Sequence, residues 1–86
     1  MPYYTYILFS KKTDRYYIGS TQNIHKRIER HNAGVTKSTK GGRPWNLVYY
    51  ESFETKTEAI KRENYLKRMK SRIFVEKIIK DPEREL

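Results

Sequence analysis

The sequence contains no cysteine, which rules out disulfides, a thiolate nucleophile and any cysteine-ligated zinc site. It has no run approaching the ~20 apolar residues that a bilayer-spanning helix needs. The opening residues, Met1 to Thr5, lack the charged start and apolar stretch of a secretory signal, so the expected location is the cytoplasm. Glycine (4) and proline (3) are scarce, so each one that does occur is informative as punctuation. Acidic residues are outnumbered, 10 against 19 Lys and Arg, for a formal charge of +9. An excess on this scale is the electrostatic footprint of a protein that meets polyphosphate. The basic residues are spread along the chain, not gathered on one amphipathic face, which argues against a membrane surface as the partner.

What is present fits one small domain. The 86 residues leave room for a single thin core, expected over residues 1–80, with a short frayed acidic tail at 81–86. Residues 3–9 are aromatic and β-branched and read as a strand, Ser10 to Asp14 as a hairpin loop, and Arg15 to Ser20 as the returning strand. Gly19 near the end of that strand implies a close approach to the backbone. Asn23 suits an N-cap for a helix from Ile24 to about Asn32, ended near Gly34. Val35 to Pro44 reads as a mobile basic loop, and Trp45 to Phe53 as a third strand. Thr55-Lys56-Thr57-Glu58 fits a capping box for a helix reaching about Lys70. Ser71 caps a last helix whose apolar stripe is Ile73, Phe74, Ile78 and Ile79. The expected fold class is α+β: a small three-stranded antiparallel sheet flanked by helices, in the order β-β-α-β-α-α.

Charges fall where the core should be. Arg27 and His31 lie on or beside the stripe set by Ile24 and Ile28 in the first helix. Glu63 lies amid Ala59, Ile60 and Leu66 in the second. Inward charges are costly unless they are paired or meet a ligand. Two readings stay open: a buried Arg27–Glu63 ion pair with His31 as a satisfied neighbour, or a site. Alternation puts Tyr4, Tyr6 and Leu8 on one face of the first strand and Thr5, Ile7 and Phe9 on the other. Pattern alone marks no tyrosine as special.

The ordered set of Tyr6, Tyr17-Ile18-Gly19-Ser20-Thr21, Asn23 to Arg27, His31 and Glu58 to Glu63 resembles the GIY-YIG nuclease superfamily. The second half-motif is intact. In the first, Tyr4-Thr5-Tyr6, the leading Gly and Ile are replaced and only Tyr6 survives. The stretch from Lys40 to Glu51 is similar to the small stand-alone bacterial branch. The resemblance implies a metal-dependent endonuclease acting on DNA, with branched or damaged structures as candidate substrates. In it Tyr17 or Tyr6 helps activate a water, Arg27 stabilises charge on the phosphoryl oxygens, and His31 orients or relays a proton. Glu63 holds one Mg²⁺ or Mn²⁺, for which a hard carboxylate is suited. Lys37, Lys40 and Arg43 in the basic loop, with Arg62, Lys67 and Lys70, are the expected nucleic-acid contacts, and a partner protein is a candidate source of specificity. The alternative is a nucleic-acid-binding module that keeps the scaffold without catalysis.

Overall fold

The computed structural model describes residues 2–81, and the expected tail beyond Asp81 lies outside them. Three strands, β1 (Tyr3–Ser10), β2 (Arg15–Thr21) and β3 (Trp45–Phe53), form an antiparallel sheet in the order β2-β1-β3. Three helices follow the expected places in the chain: α1 (Ile24–Asn32), α2 (Lys56–Met69) and α3 (Arg72–Lys80). Local chemistry starts each helix. The Asn23 side chain accepts from the Lys26 amide at 3.1 Å, Thr55 from Glu58 at 3.2 Å, and Ser71 from Phe74 at 3.1 Å. Gly34, just past α1, adopts φ +78°, where a side chain would be strained. Lys70 takes a left-handed φ of 46° between α2 and α3, a role more often given to glycine or asparagine.

β1 is central and buried on both faces, which is why it carries an apolar run. On one face Ile7 packs with Leu66, Val75 and Ile78 from α2 and α3. Thr5 Oγ1 donates to the Ala59 carbonyl at 2.7 Å and ties β1 to α2. On the other face Tyr6, Leu8 and Trp45 form a second cluster with Tyr17 and Ile28. Fully burying side chains of this size stabilises the fold by about 1.5–3 kcal/mol each. Alternation in β1 therefore assigns both faces. The helical stripes are less exact: Ile60 is about one-third exposed and Ile73 is 68% exposed, because α2 and α3 meet the sheet along a narrower strip than their apolar residues span.

Gly19 is buried in β2 opposite Tyr6. A Cβ placed there would fall 2.5 Å from the Tyr6 hydroxyl oxygen. Close approach is thus the reason for glycine. Gly19→Ala is expected to destabilise the protein by about 1–3 kcal/mol in chemical denaturation. Tyr6→Phe in the same chain should recover part of that loss, since it removes the oxygen being struck.

Candidate active site

Four secondary-structure elements bring the expected residues to one place. Tyr6 projects from β1 toward α1, where His31 and Arg27 stand one turn apart on the side facing the sheet. Tyr6 Oη lies 3.2 Å from His31 Nε2. The Tyr17 ring sits 4.7 Å from the His31 ring and 6.2 Å from the Trp45 ring, edge-on to both. Burial holds the Tyr6 hydroxyl well above the ordinary tyrosine range, and Tyr17 and the Glu63 carboxylate push the same way; the charge and hydrogen bonding of Arg27 oppose them. Arg27 acts from α1 on one face of the sheet and Glu63 from α2 on the other. Both act on the Tyr6 hydroxyl, which packs directly over Gly19.

The protons on this chain of groups can be assigned. Thr39 Oγ1 donates its single proton to the Thr36 carbonyl at 3.3 Å and therefore accepts from His31 Nδ1 at 2.8 Å. Nε2 is then unprotonated and accepts from the Tyr6 hydroxyl. Burial, then the positive charges of Arg27 and Arg30, lower the His31 pKa and favour this neutral ring. Tyr6 is wholly buried, so it is placed to orient its neighbours and not to touch a substrate. Tyr17, only half-buried, lines an open groove of about 460 Å³ with Ile18, Leu66, Lys67, Lys70 and Arg72.

Glu63 does not pair with Arg27. Its Oε1 accepts from Ser20 Oγ at 2.6 Å and its Oε2 from Lys67 Nζ at 2.6 Å. No group of three or more His, Asp and Glu residues gathers as a metal cage among the described residues. The donor chemistry nonetheless fits one weakly held divalent ion: a carboxylate oxygen beside a hydroxyl, both hard ligands, leaving positions for water and phosphate. Lys67 stands where such a cation would compete, and its side chain, 49% exposed, is free to swing toward solvent.

The family model for the GIY-YIG catalytic domain matches residues 2–78. The chain belongs to the GIY-YIG family. Among its relatives, a UPF0213 protein of Clostridium perfringens is 48% identical over 67 residues, which span 77% of this chain and 71% of that protein. The UPF0213 protein YazA of Bacillus subtilis is 41% identical over 69 residues, 76% of this chain and 70% of the relative. The solution NMR structure of a UPF0213 protein from Bacillus halodurans superposes with a TM-score of 0.59 at 34% identity, covering 93% of this chain and 84% of that one. The β-β-α-β-α-α order is thus the GIY-YIG arrangement, in which Tyr6 sits on the central strand β1 and Tyr17 on the adjoining edge strand β2.

Not every expected nucleic-acid contact remains available in this GIY-YIG domain. Arg62 forms a two-pronged pair with Glu51, 2.9 Å at each prong, and Tyr49 donates to the same carboxylate. It serves the packing of α2 on β3. Arg43 Nε donates to the Lys40 carbonyl at 2.9 Å and its guanidinium lies over Gly34. Arg72 clamps the β1–β2 turn through Asp14 at 2.8 Å. Lys37 and Lys40 are exposed, and Lys67 and Lys70 line the Tyr17 groove. The expected mobile loop is instead folded. It holds a short 3-10 turn (Lys40–Gly42), Trp45 Nε1 donates to the Thr39 carbonyl at 2.7 Å, and Asn32 bonds both backbone groups of Trp45.

Thr39, Trp45 and Ser20 are the contributors that sequence reasoning missed. Ser20 was recoverable, because alternation from Gly19 turns it toward α2. Thr39 was not, since nothing local links it to His31 across a turn.

Proposed function

We propose that this chain is a metal-dependent endonuclease that hydrolyses DNA phosphodiester bonds, with its reaction centre at the Gly19 edge of β2. The observation that carries the reading is the convergence of Arg27, Glu63 and the tyrosine pair from opposite faces of the sheet onto one spot. In this reading the Arg27 guanidinium binds the non-bridging phosphoryl oxygens, its planar fork matching their geometry. Glu63, steadied by Ser20, holds Mg²⁺ or Mn²⁺. When bound, that ion supplies Lewis-acid stabilisation of the phosphoryl charge and lowers the pKa of water. The Tyr17 hydroxyl, held on the His31 face of β2 and only half-buried, orients the attacking water, whose proton passes to bulk solvent. Tyr6 keeps its own proton, donates it in a hydrogen bond to His31, and positions Tyr17 and Arg27. An attack in line with the leaving oxygen requires this fixed geometry more than any covalent chemistry by the protein.

A second reading, a nucleic-acid-binding module without catalysis, draws support from Lys67 occupying Glu63 Oε2. A panel of labelled linear, flapped and branched DNAs, incubated with Mg²⁺ or Mn²⁺ and with chelator, separates the two. The nuclease reading expects cutting only with metal, and at branched or flapped positions if the substrate is a distorted DNA. Intact substrates throughout, with salt-sensitive gel shifts, would leave the binding module.

A further inference from the structure

A second groove opens on the other side of the reaction centre from the Tyr17 groove. It measures about 400 Å³, and its charged lining is wholly cationic: Lys26, Arg27 and Arg30 from α1 and Lys56 from the start of α2. None of the ion pairs among the described residues uses any of the four. Ser20 and Tyr3 complete the wall nearest the sheet.

The placement of two of these cations is unfavourable to the free protein. Lys56 is the first residue of α2, and Lys26 lies in the first turn of α1, which contains no acid at all. Cations at a helix N-terminus oppose the positive end of the macrodipole. An anion in the groove reverses the sign of that interaction, because backbone N–H groups and side-chain cations then point at the same negative charge.

We infer that this groove holds the phosphodiester adjoining the one attacked, so that the substrate is a polynucleotide gripped beside the scissile bond by Lys26, Arg30 and Lys56. The inference rests on the nuclease reading for what lies at the centre, and the continuity is structural. Arg27 both lines the groove and acts on the Tyr6 hydroxyl, and Ser20 both lines it and bonds Glu63. A strand crossing the centre therefore enters this groove on one side and the groove with Lys67 and Lys70 on the other. That assigns the main grip to Lys26 and Arg30 of α1 and Lys56 of α2, and not to the folded loop that carries Lys37 and Lys40.

The test is binding, measured in chelator so that no cleavage occurs. Fluorescence anisotropy of a labelled DNA oligonucleotide, single-stranded and duplex, is followed as a function of salt. The proteins are wild type, Lys26→Gln with Arg30→Gln and Lys56→Gln together, and Lys37→Gln with Lys40→Gln. Each phosphate contact contributes roughly one unit to the slope of log K against log salt. The triple variant is expected to lose about three units of slope and roughly tenfold or more in affinity, and the loop variant much less. Lys56→Glu alone guards against a folding artefact: affinity should fall while Tm rises, because an acid suits the first turn of α2. An unchanged slope in the triple variant, or an equal loss in the loop variant, overturns the inference. Groove-dependent binding by a protein that never cuts would remove the nuclease reading and leave the groove standing. Cutting with unaltered binding by the groove variants would do the reverse.

Discussion

Glu63→Gln is expected to lower metal-dependent cleavage by roughly 10³-fold or more, the scale of several kcal/mol that a metal's charge stabilisation supplies. The same substitution should move folding stability by only about 0.5 kcal/mol. Glutamine is isosteric, and its amide oxygen can still accept from Ser20, which now donates at 2.6 Å. What disappears is the pair with Lys67, four residues along the helix and half exposed on the lysine side, a class worth about 0.3–0.5 kcal/mol. A residue that matters greatly to activity and little to folding is one held for chemistry. Two measurements on one purified variant decide it: product formation with metal, and a denaturant midpoint without it. Retained cleavage would remove Glu63 from the site. A loss of several kcal/mol in folding would mean that its bonds to Ser20 and Lys67 are structural.

The second large effect is on pH. His31 is buried, with Tyr6 of β1 on one nitrogen, Thr39 on the other, the Tyr17 ring of β2 beside it and Arg27 and Arg30 on its own helix. Its pKa is lowered in the fold, so the unfolded chain binds a proton first as the solution is acidified. The stability contributed by the neutral ring is therefore complete above about pH 6.5, the ordinary histidine value. It is lost as pH falls from there toward the folded value, at up to about 1.4 kcal/mol per pH unit for one proton. Carboxylates titrate lower, near pH 4, so this limb stands apart from general acid unfolding. Denaturant midpoints collected between neutral and mildly acid pH are expected to fall in wild type. In His31→Gln they should be lower throughout and nearly level, because the titrating ring is gone. A level wild-type profile would contradict the neutral, proton-accepting ring. Cleavage should fall over the same window, since a protonated ring cannot accept from Tyr6.

Local physics was enough to read much of this protein from its sequence. The caps at Asn23, Thr55 and Ser71 each rest on a side chain three residues from its target, so helix starts were legible. The two faces of β1 followed from alternation, since a pleated strand permits no other placement. Arg27, His31 and Glu63 stood out because inward charges violate the helical pattern. The tertiary structure decided the relations between elements. It replaced the open Arg27–Glu63 pairing with Ser20 and Lys67, committed Arg62 to Glu51 and Arg43 to its own loop, and folded that loop around His31 through Thr39 and Trp45. It also distinguished the two tyrosines, burying Tyr6 and leaving its neighbour Tyr17 half-buried. Those outcomes depend on which long side chains reach one another across the sheet. That distance is set by how the helices pack on the sheet, and no local pattern encodes it.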